Sequence, residues 1–501
     1  MKILIRITLM FAVALSWSET AAAPRRSWNY AQSENFEMMT SASVGDSREL
    51  LADFEEFHAL LQAAFGQPRI AKKRTTLVVF EYQEDFEPYK PLTEEGQRRN
   101  VAAYFLGHPE ESLIAMVAGP ASAREVRETV YHEYVHHFFD LMGYKLPLWL
   151  NEGLADLFST MQIKRNRLEL GHAKIGYMNA MLSTWDLDWL FSVGKGSDSY
   201  HGGIAQQQFY AQSWALVHFW FCSPEMFPSY LKFLDLIENS GKDSAECMEE
   251  AFGMNTEQMK DALDAYLKKG RYQLRQLPLA EKPERKRYAF RRATDFEQEL
   301  TLLNLEARAL GLVESEIKLI ELAERYPAEP RPYEILAALA GRKGKAQEQL
   351  DYYAKAVALG SRNSQVHVLR AGLALSRVDV GSSLDYRMPE DQAEPLRESL
   401  RTAFAANPNH DAIIDLLAYL ESVAAKPKLS SVELVQKQVK GMRDSREALL
   451  SLAVIRWRIK DHATAEAILG MLRGRKPLEG GAMQRMELLE ARLGLSATAA
   501  Q

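Results

Sequence analysis

Hydrophobic and polar positions follow different patterns in the two halves of the chain. In the first half, short apolar runs rich in β-branched and aromatic residues predict strands over residues 35–39, 75–80 and 112–118. Residues 47–65 carry apolar side chains at helical spacing and predict an amphipathic helix. Beyond residue 121 almost every segment has helical periodicity. The pattern therefore predicts an α+β first half and an all-helical second half.

The second half contains a weak internal repeat. Helical segments end at Pro327 and Ser361, 34 residues apart, and at Pro408 and Pro477, 69 residues apart, which is close to twice 34. The interval from Ser361 to Pro408 fits the same 34-residue period if Arg377–Pro389 is a loop insertion. This spacing resembles tetratricopeptide repeats, in which helix pairs stack into a solenoid. An irregular helical domain is the alternative.

The amino terminus has the pattern of an export signal. Lys2 and Arg6 precede the apolar run Ile7–Trp17, and small residues follow at 20–23. Because a bilayer span needs about 20 apolar residues, the pattern favours a cleaved signal peptide over residues 1–22. An uncleaved signal anchor is the alternative. We expect an exported protein, periplasmic or secreted, with no membrane span after cleavage.

A change in composition marks the next boundary. Pro278, Pro283 and clustered Lys and Arg predict a linker over residues 276–292. This linker separates a domain over residues 23–275 from a helical repeat domain over residues 293–501.

Composition and charge exclude several classes of protein. The 501 residues are 47% hydrophobic and 26% charged, which is typical of folded domains. A net charge of −6 argues against nucleic-acid binding, and we expect the basic run Lys72-Lys73-Arg74 to be a solvated face. Only two cysteines are present, which excludes a Cys-based zinc finger or an iron–sulfur centre. Any metal site must therefore use His and carboxylate ligands.

One motif of the HExxH type carries the candidate chemistry. A capping box that begins at Ser122 and a stop at Gly143 place the motif in the middle of a helix. The four-residue spacing puts His132 and His136 on one face, where both can bind one metal ion. Glu133 would reach a water molecule rather than the metal, as a general base must.

A third ligand is available in the segment 147–156, which reads Pro-Leu-Trp-Leu-Asn-Glu-Gly-Leu-Ala-Asp. Pro147 begins a new helix, Glu152 lies in its first turns, and Gly153 allows close helix contact. Asp156 is placed to accept the free N–H of a ligating imidazole. Two His and one Glu leave a fourth position of zinc open for water, as a hydrolytic site requires.

These motifs together resemble the gluzincin metallopeptidases, which include thermolysin-like and aminopeptidase families. The similarity is greatest to secreted bacterial peptidase-MA-like proteins with tetratricopeptide tails, and it covers residues 27–272 in organisation. Familiar gluzincins have a few more residues between the second His and the Glu. The resemblance implies a thermolysin-like domain in which Zn²⁺ is bound by His132, His136 and Glu152, water is activated by Glu133, and a ligand is supported by Asp156.

The resemblance implies two further features. The family binds the substrate backbone along an edge strand before the active helix, which corresponds here to Leu113–Gly119; an ordinary sheet strand is the alternative. Aminopeptidase-type members stabilise the oxyanion with a tyrosine on a later helix, which corresponds to Tyr210. A buried core ring is the alternative for Tyr210, and Tyr200 and His201 are other candidates. His218 is expected to be a hydrogen-bonded core residue.

The two cysteines, Cys222 and Cys247, lie on either side of a predicted helix. In an exported protein we expect them to form a disulfide, with two buried free thiols as the alternative.

The sequence as a whole predicts an exported zinc metallopeptidase that acts on a peptide or protein substrate. Its helical repeats offer a surface for a protein partner. One alternative is an inactive, zinc-stabilised scaffold whose repeats bind partners. Another is a binding module in which the first domain only regulates a partner held by the repeats.

Overall fold

A computed structural model describes residues 27–66, 74–93, 96–107, 111–121, 124–144, 146–164, 167–172, 186–197, 203–269, 273–278, 286–311, 313–378, 384–442, 444–475 and 477–495. The predicted signal peptide over residues 1–22 and the predicted cap at Ser122 lie outside these residues. The described strands are β1 (Asn29–Gln32), β2 (Phe36–Thr40), β3 (Thr75–Phe80), β4 (Ala103–Leu106), β5 (Leu113–Val117), β6 (Gln162–Lys164), β7 (Arg167–Leu170), β8 (Arg275–Pro278) and β9 (Phe290–Arg292).

Helices dominate the remainder of the chain. Those in the first half are α1 (Val44–Phe65), α2 (Gln83–Phe86), a 3₁₀ turn (Glu87–Tyr89), α3 (Ala118–Ala121), α4 (Arg124–Met142), α5 (Leu148–Ser159), α6 (Leu187–Ser192), α7 (Gly203–Cys222), α8 (Phe227–Asn239), α9 (Ser244–Phe252) and α10 (Thr256–Lys268). Those in the second half are α11 (Asp295–Leu310), α12 (Val313–Arg325), α13 (Arg331–Arg342), α14 (Ala346–Ala358), α15 (Ser364–Leu375), α16 (Glu390–Ala406), α17 (Asp411–Val423), α18 (Leu429–Gln438), α19 (Arg446–Arg458), α20 (His462–Arg473) and α21 (Gly480–Arg492). The chain is therefore mixed α+β.

The first half is organised around a six-stranded sheet with the order β4-β5-β3-β2-β1-β9. Strands β2, β3 and β5 are parallel to one another, and all their residues are buried. Alternate residues serve two cores: Leu77 and Val79 of β3 contact the core shared with α1 and α4, whereas Val78 and Phe80 contact a second core on the opposite face. Burial on both faces explains why these strands read as continuous apolar runs.

The strand before α4 is not at the edge of this sheet. β5 pairs with β3 on one side and with β4 on the other, so the expectation that Leu113–Gly119 forms an edge strand is wrong. The edge position belongs to β4, which lies against α4 and places the Phe105 ring 5.5 Å from that of His137. β4 is short and half-buried, and for that reason its pattern gave no strand signal.

The predicted linker is partly built into the sheets. Its first residues belong to β8, which pairs with β7, and its last residues form β9, which pairs with β1. α11 follows directly, and its Leu305 enters the second core of the six-stranded sheet. The boundary near residue 292 therefore lies within packed structure, although residues 279–285 are outside the described ranges.

Buried polar contacts also join the helical region to the sheet. Glu111, just before β5, accepts hydrogen bonds from Asn304 Nδ2 of α11 at 2.7 Å and from Arg331 Nη2 of α13 at 3.0 Å. Arg308 Nη2 of α11 lies 3.7 Å from the same carboxylate. These groups are paired between the sheet and the helical region, so they fix the approach of the two halves.

Successive helices of the second half pack against one another from α11 to α17. α15 ends at Leu375 and α16 begins at Glu390, so the described residues 377–378 and 384–389 of the predicted insertion Arg377–Pro389 lie outside both helices, while residues 379–383 are outside the described ranges. Within the described residues, no helix is both long enough and apolar enough to span a membrane.

Candidate metal centre

α4 is held in place by the face opposite to its histidines. Tyr134, inside the motif, is fully buried and its hydroxyl lies 2.7 Å from His58 Nδ1 of α1. One residue before the motif, Tyr131 stacks on Phe57 with ring centroids 3.9 Å apart. The helix ends at Gly143, whose φ of 73° is a conformation that glycine adopts without strain. This anchoring fixes which side chains of α4 face α5.

α5 approaches its neighbours closely because Gly153 has no side chain. A Cβ at this position would lie 2.4 Å from the Ser213 carbonyl oxygen and 2.6 Å from Val217 Cγ2, both on α7. Because real Cβ atoms do not tolerate such contacts, glycine allows α5 to lie between α4 and α7. This geometry agrees with the close helix contact expected at Gly153.

Three side-chain atoms from α4 and α5 converge. His132 Nε2 and His136 Nε2 are 3.1 Å apart, and each lies 3.2 Å from Glu152 Oε2. The edge of a tetrahedron around zinc is roughly 3.3 Å, because zinc binds N and O ligands at about 2.0–2.2 Å. The three atoms could therefore bind one ion without rearrangement, despite the short connection between α4 and α5.

Each imidazole is oriented through its other nitrogen. Asp156 Oδ1 lies 2.7 Å from His132 Nδ1, as the sequence predicts, and Asn151 Oδ1 lies 3.0 Å from His136 Nδ1. With Nδ1–H donating to these oxygens, both Nε2 atoms present lone pairs to the same point. The role of Asn151 was not predicted from the sequence. Its position directly before Glu152, with a side chain that can accept a hydrogen bond, was the available signal.

The electrostatics of the centre favour an ionised carboxylate. Burial raises the pKa of Glu152, but His132 and His136, when they are protonated on both nitrogens, outweigh that effect through hydrogen bonds and positive charge and lower the pKa to about 2. Glu152 is 3% exposed, so its charge faces the two imidazoles rather than bulk water. A buried carboxylate between two imidazole nitrogens is an arrangement that suits a divalent cation.

The two candidate catalytic residues lie beside this centre. Glu133 is half-buried on α4, next in sequence to His132. Tyr210, on α7, is also half-buried, and its ring centroid is 6.3 Å from that of His132. The ring also packs against the first-half core, so the core alternative for Tyr210 stays beside the catalytic prediction. Tyr200 and His201 lie outside the described residues.

Three other residues singled out in the sequence lie elsewhere in the first-half core. His218 Nε2 donates to the Gly171 carbonyl at 3.0 Å and Nδ1 accepts from Tyr266, so His218 is a hydrogen-bonded core residue, as predicted. Burial lowers its pKa to about 4.

The expected disulfide does not form. Cys222 and Cys247 are two buried free thiols with different neighbours. Cys222 lies against Gly171, where a Cβ would be 2.8 Å from its sulfur. Cys247 Sγ donates to the Lys242 carbonyl at 3.7 Å. Placement on either side of a helix was therefore insufficient to bring the two sulfur atoms together.

His132, His136 and Glu152 form the one group of three potential metal ligands, mutually within 4.8 Å, in the described part of the chain. The chain matches no protein-family model, no curated protein and no solved structure. The geometry and chemistry of this centre are therefore what bear on function.

Proposed function

We propose that the protein is an exported zinc-dependent peptidase of gluzincin type with a tetratricopeptide-like helical region. The observation that carries the proposal is the convergence of His132 Nε2, His136 Nε2 and Glu152 Oε2, with Glu133 next in sequence to His132. We further propose that residues 1–22 are removed as a signal peptide.

The donor set favours zinc over the other common divalent ions. Two imidazoles and one carboxylate are ligands typical of catalytic zinc sites, whereas Mg²⁺ and Ca²⁺ prefer sites built from oxygen. Asp156 and Asn151 supply the outer hydrogen bonds that such imidazoles require. Three protein ligands leave a position for a small molecule, which a purely structural zinc site would not keep.

The residues around the centre have separate roles in peptide hydrolysis. When bound, zinc would polarise the scissile carbonyl and make a water molecule more acidic. Glu133 accepts the proton of the attacking water and then transfers it to the departing amine. Tyr210 donates a hydrogen bond to the oxygen on which negative charge develops.

The substrate backbone has a place to bind along β4. This strand is the sheet edge nearest α4, so its free backbone groups can pair with an extended peptide. Main-chain pairing of this kind holds a peptide without selecting its side chains, which is consistent with a peptidase.

The competing proposal is an inactive scaffold stabilised by zinc. It would explain the metal ligands and the helical region, but it leaves Glu133 without a role. The retained Glu133 therefore favours hydrolysis.

The test is cleavage of a peptide library by the full chain, with and without a chelator, compared with Glu133→Gln. We expect Glu133→Gln to lose at least about 100-fold in activity, because it can no longer accept a proton. Glu257→Gln, an exposed substitution on α10, is the matched control and should retain activity. Wild-type protein that binds zinc but cleaves no peptide would support the scaffold instead, and activity that survives in Glu133→Gln would contradict the mechanism.

A further inference from the structure

A cavity of about 500 Å³ lies between the six-stranded sheet and the helical region, apart from the metal centre. Glu37 of β2 and Arg74, just before β3, form one wall. Arg331 at the start of α13 and Arg362 in the loop before α15 form the other. Cavities of this volume are typical of sites for small molecules or peptide side chains. Three arginines around one cavity suggest an anionic ligand.

Arg331 has an unused donor at this cavity. Its Nη2 donates to Glu37 Oε1 at 3.4 Å and to Glu111 Oε1 at 3.0 Å. Its Nε is buried and has no hydrogen-bond partner among the described residues. Because a buried charged donor without a partner is unfavourable, a ligand acceptor at this position would stabilise the arrangement.

The other two arginines have positive charge without a carboxylate to balance it. In the described ranges, neither Arg74 nor Arg362 has a carboxylate oxygen within 4.0 Å. Arg74 Nε donates to the Ser33 carbonyl at 2.6 Å and Nη1 donates to the Gln32 side-chain oxygen at 2.6 Å, so its charge is met by neutral acceptors and not by a carboxylate. Arg74 therefore lines a cavity and is half-buried, contrary to the expectation of a solvated basic face. Lys72 and Lys73 of the same run lie outside the described residues.

The two acidic residues in the wall are already bound to donors of the protein. Glu37 accepts hydrogen bonds from Tyr30 at 3.1 Å and Thr76 at 2.9 Å, as well as from Arg331. Glu334 accepts from Ser361 Oγ at 2.6 Å and from Asn363 Nδ2 at 3.4 Å. These carboxylates hold the wall together, and the arginines remain available to the cavity.

We propose that this cavity binds the carboxylates of an acidic peptide segment. A guanidinium group binds a carboxylate through two parallel hydrogen bonds, and Arg362 is exposed at the mouth for this purpose. The cavity is much larger than a single ion, which favours a peptide over a free anion. Inorganic phosphate has the same oxyanion chemistry and is the competitor that must be distinguished. The proposal is independent of zinc.

The experiment measures binding of a fluorescent hexaglutamate peptide to the full chain at low salt. We expect hexaglutamate to bind, a matching hexaglutamine peptide not to bind, and added salt to weaken the complex. Arg362→Glu should weaken binding by at least about tenfold, since it replaces a charge-assisted pair by repulsion. Arg292→Glu, the same charge change on the exposed strand β9, is the matched control and should change affinity little.

Three results would overturn the proposal. The first is equal binding by Arg362→Glu and Arg292→Glu. The second is displacement of the peptide by inorganic phosphate at concentrations no higher than that of the peptide, which would show an anion site without peptide preference. The third is loss of binding when a chelator is added, because the peptide would then be held at the metal centre. Binding that survives the chelator supports this cavity even if the protein has no peptidase activity.

Discussion

The two halves of the molecule both contain charged side chains away from bulk water, but the partners of these side chains differ. In the second half, Arg397 of α16 is fully buried and uses all five of its N–H groups. Two of them bind Glu421 at 2.8 and 3.2 Å; the others bind Glu390, Glu394 and the Lys426 carbonyl. Every donor of this arginine therefore has an acceptor supplied by the chain.

In the first half, the metal centre instead brings three potential metal ligands together. His132 Nε2, His136 Nε2 and Glu152 Oε2 lie 3.1–3.2 Å from one another. The outer atoms of the same imidazoles are fully engaged by Asp156 and Asn151. A closed network, in which every donor has an acceptor, stabilises a fold, whereas two imidazole nitrogens and a carboxylate oxygen at these distances suit the zinc ion that we propose.

The largest effect should come from opening the closed network. Arg397→Met leaves Glu421 buried without its partner, so we expect a loss of about 3–5 kcal/mol in the free energy of unfolding. Urea-induced unfolding followed by circular dichroism measures this loss. Arg401→Met, which removes only an exposed pair with Glu394, is the control and should cost less than about 1 kcal/mol.

Zinc affinity should not change in either of these arginine variants. Equal destabilisation by Arg397→Met and Arg401→Met would contradict the role given to the closed network.

A smaller effect should come from loosening the metal centre without removing a ligand. Asp156→Asn weakens the hydrogen bond that orients His132, so the dissociation constant for zinc should rise about 10–100-fold. Competition with a chromogenic chelator measures this change. Asp140→Asn, an exposed substitution on α4 one turn after His136, removes a charge that acts on His136 through space, and no hydrogen bond joins these two side chains in the described structure. An equal loss of zinc affinity in both variants would show that Asp156 acts only through its charge and not through its hydrogen bond to His132.

The smallest effect should come from Asp415 of α17, whose carboxyl group lies near other acidic side chains in the second half. Burial, and then the nearby carboxylates of Glu447, Asp411 and Asp444, raise the pKa of Asp415 to about 8. The native state therefore keeps a proton that the unfolded chain loses near pH 4, so stability falls as pH rises from about 4 to about 8.

Asp415→Asn keeps an acceptor for the Ala448 N–H and removes this pH dependence. We expect the variant to be more stable than wild type by about 1 kcal/mol at pH 9, after allowance for solvent screening, and by less at pH 5. Thermal unfolding at both pH values measures the difference, with the exposed Asp261→Asn as control. A difference independent of pH would show that Asp415 is already ionised in the native protein.

Local patterns predicted those parts of the structure that depend on local sequence. β3 has the predicted bounds, and α4 ends where Gly143 predicts. Helical spacing was sufficient to place His132 and His136 together. The sequence motif over residues 147–156 indicated that Glu152 and Asp156 lie near them. By contrast, β4 and β9 are short strands whose positions depend on pairing with distant segments, so the edge strand was wrongly assigned and the strands at the two ends of the predicted linker were not foreseen. The predicted disulfide was wrong for the same reason: tertiary packing sets the distance between the two thiols.

The most direct test is the zinc content of the full chain, measured by elemental analysis after purification without a chelator. The account predicts one zinc ion per chain in wild-type protein and a large loss of zinc in Glu152→Gln, with the exposed Glu257→Gln unchanged. Protein without zinc, or zinc content that is the same in wild type and Glu152→Gln, would contradict the metal centre on which the proposed function depends.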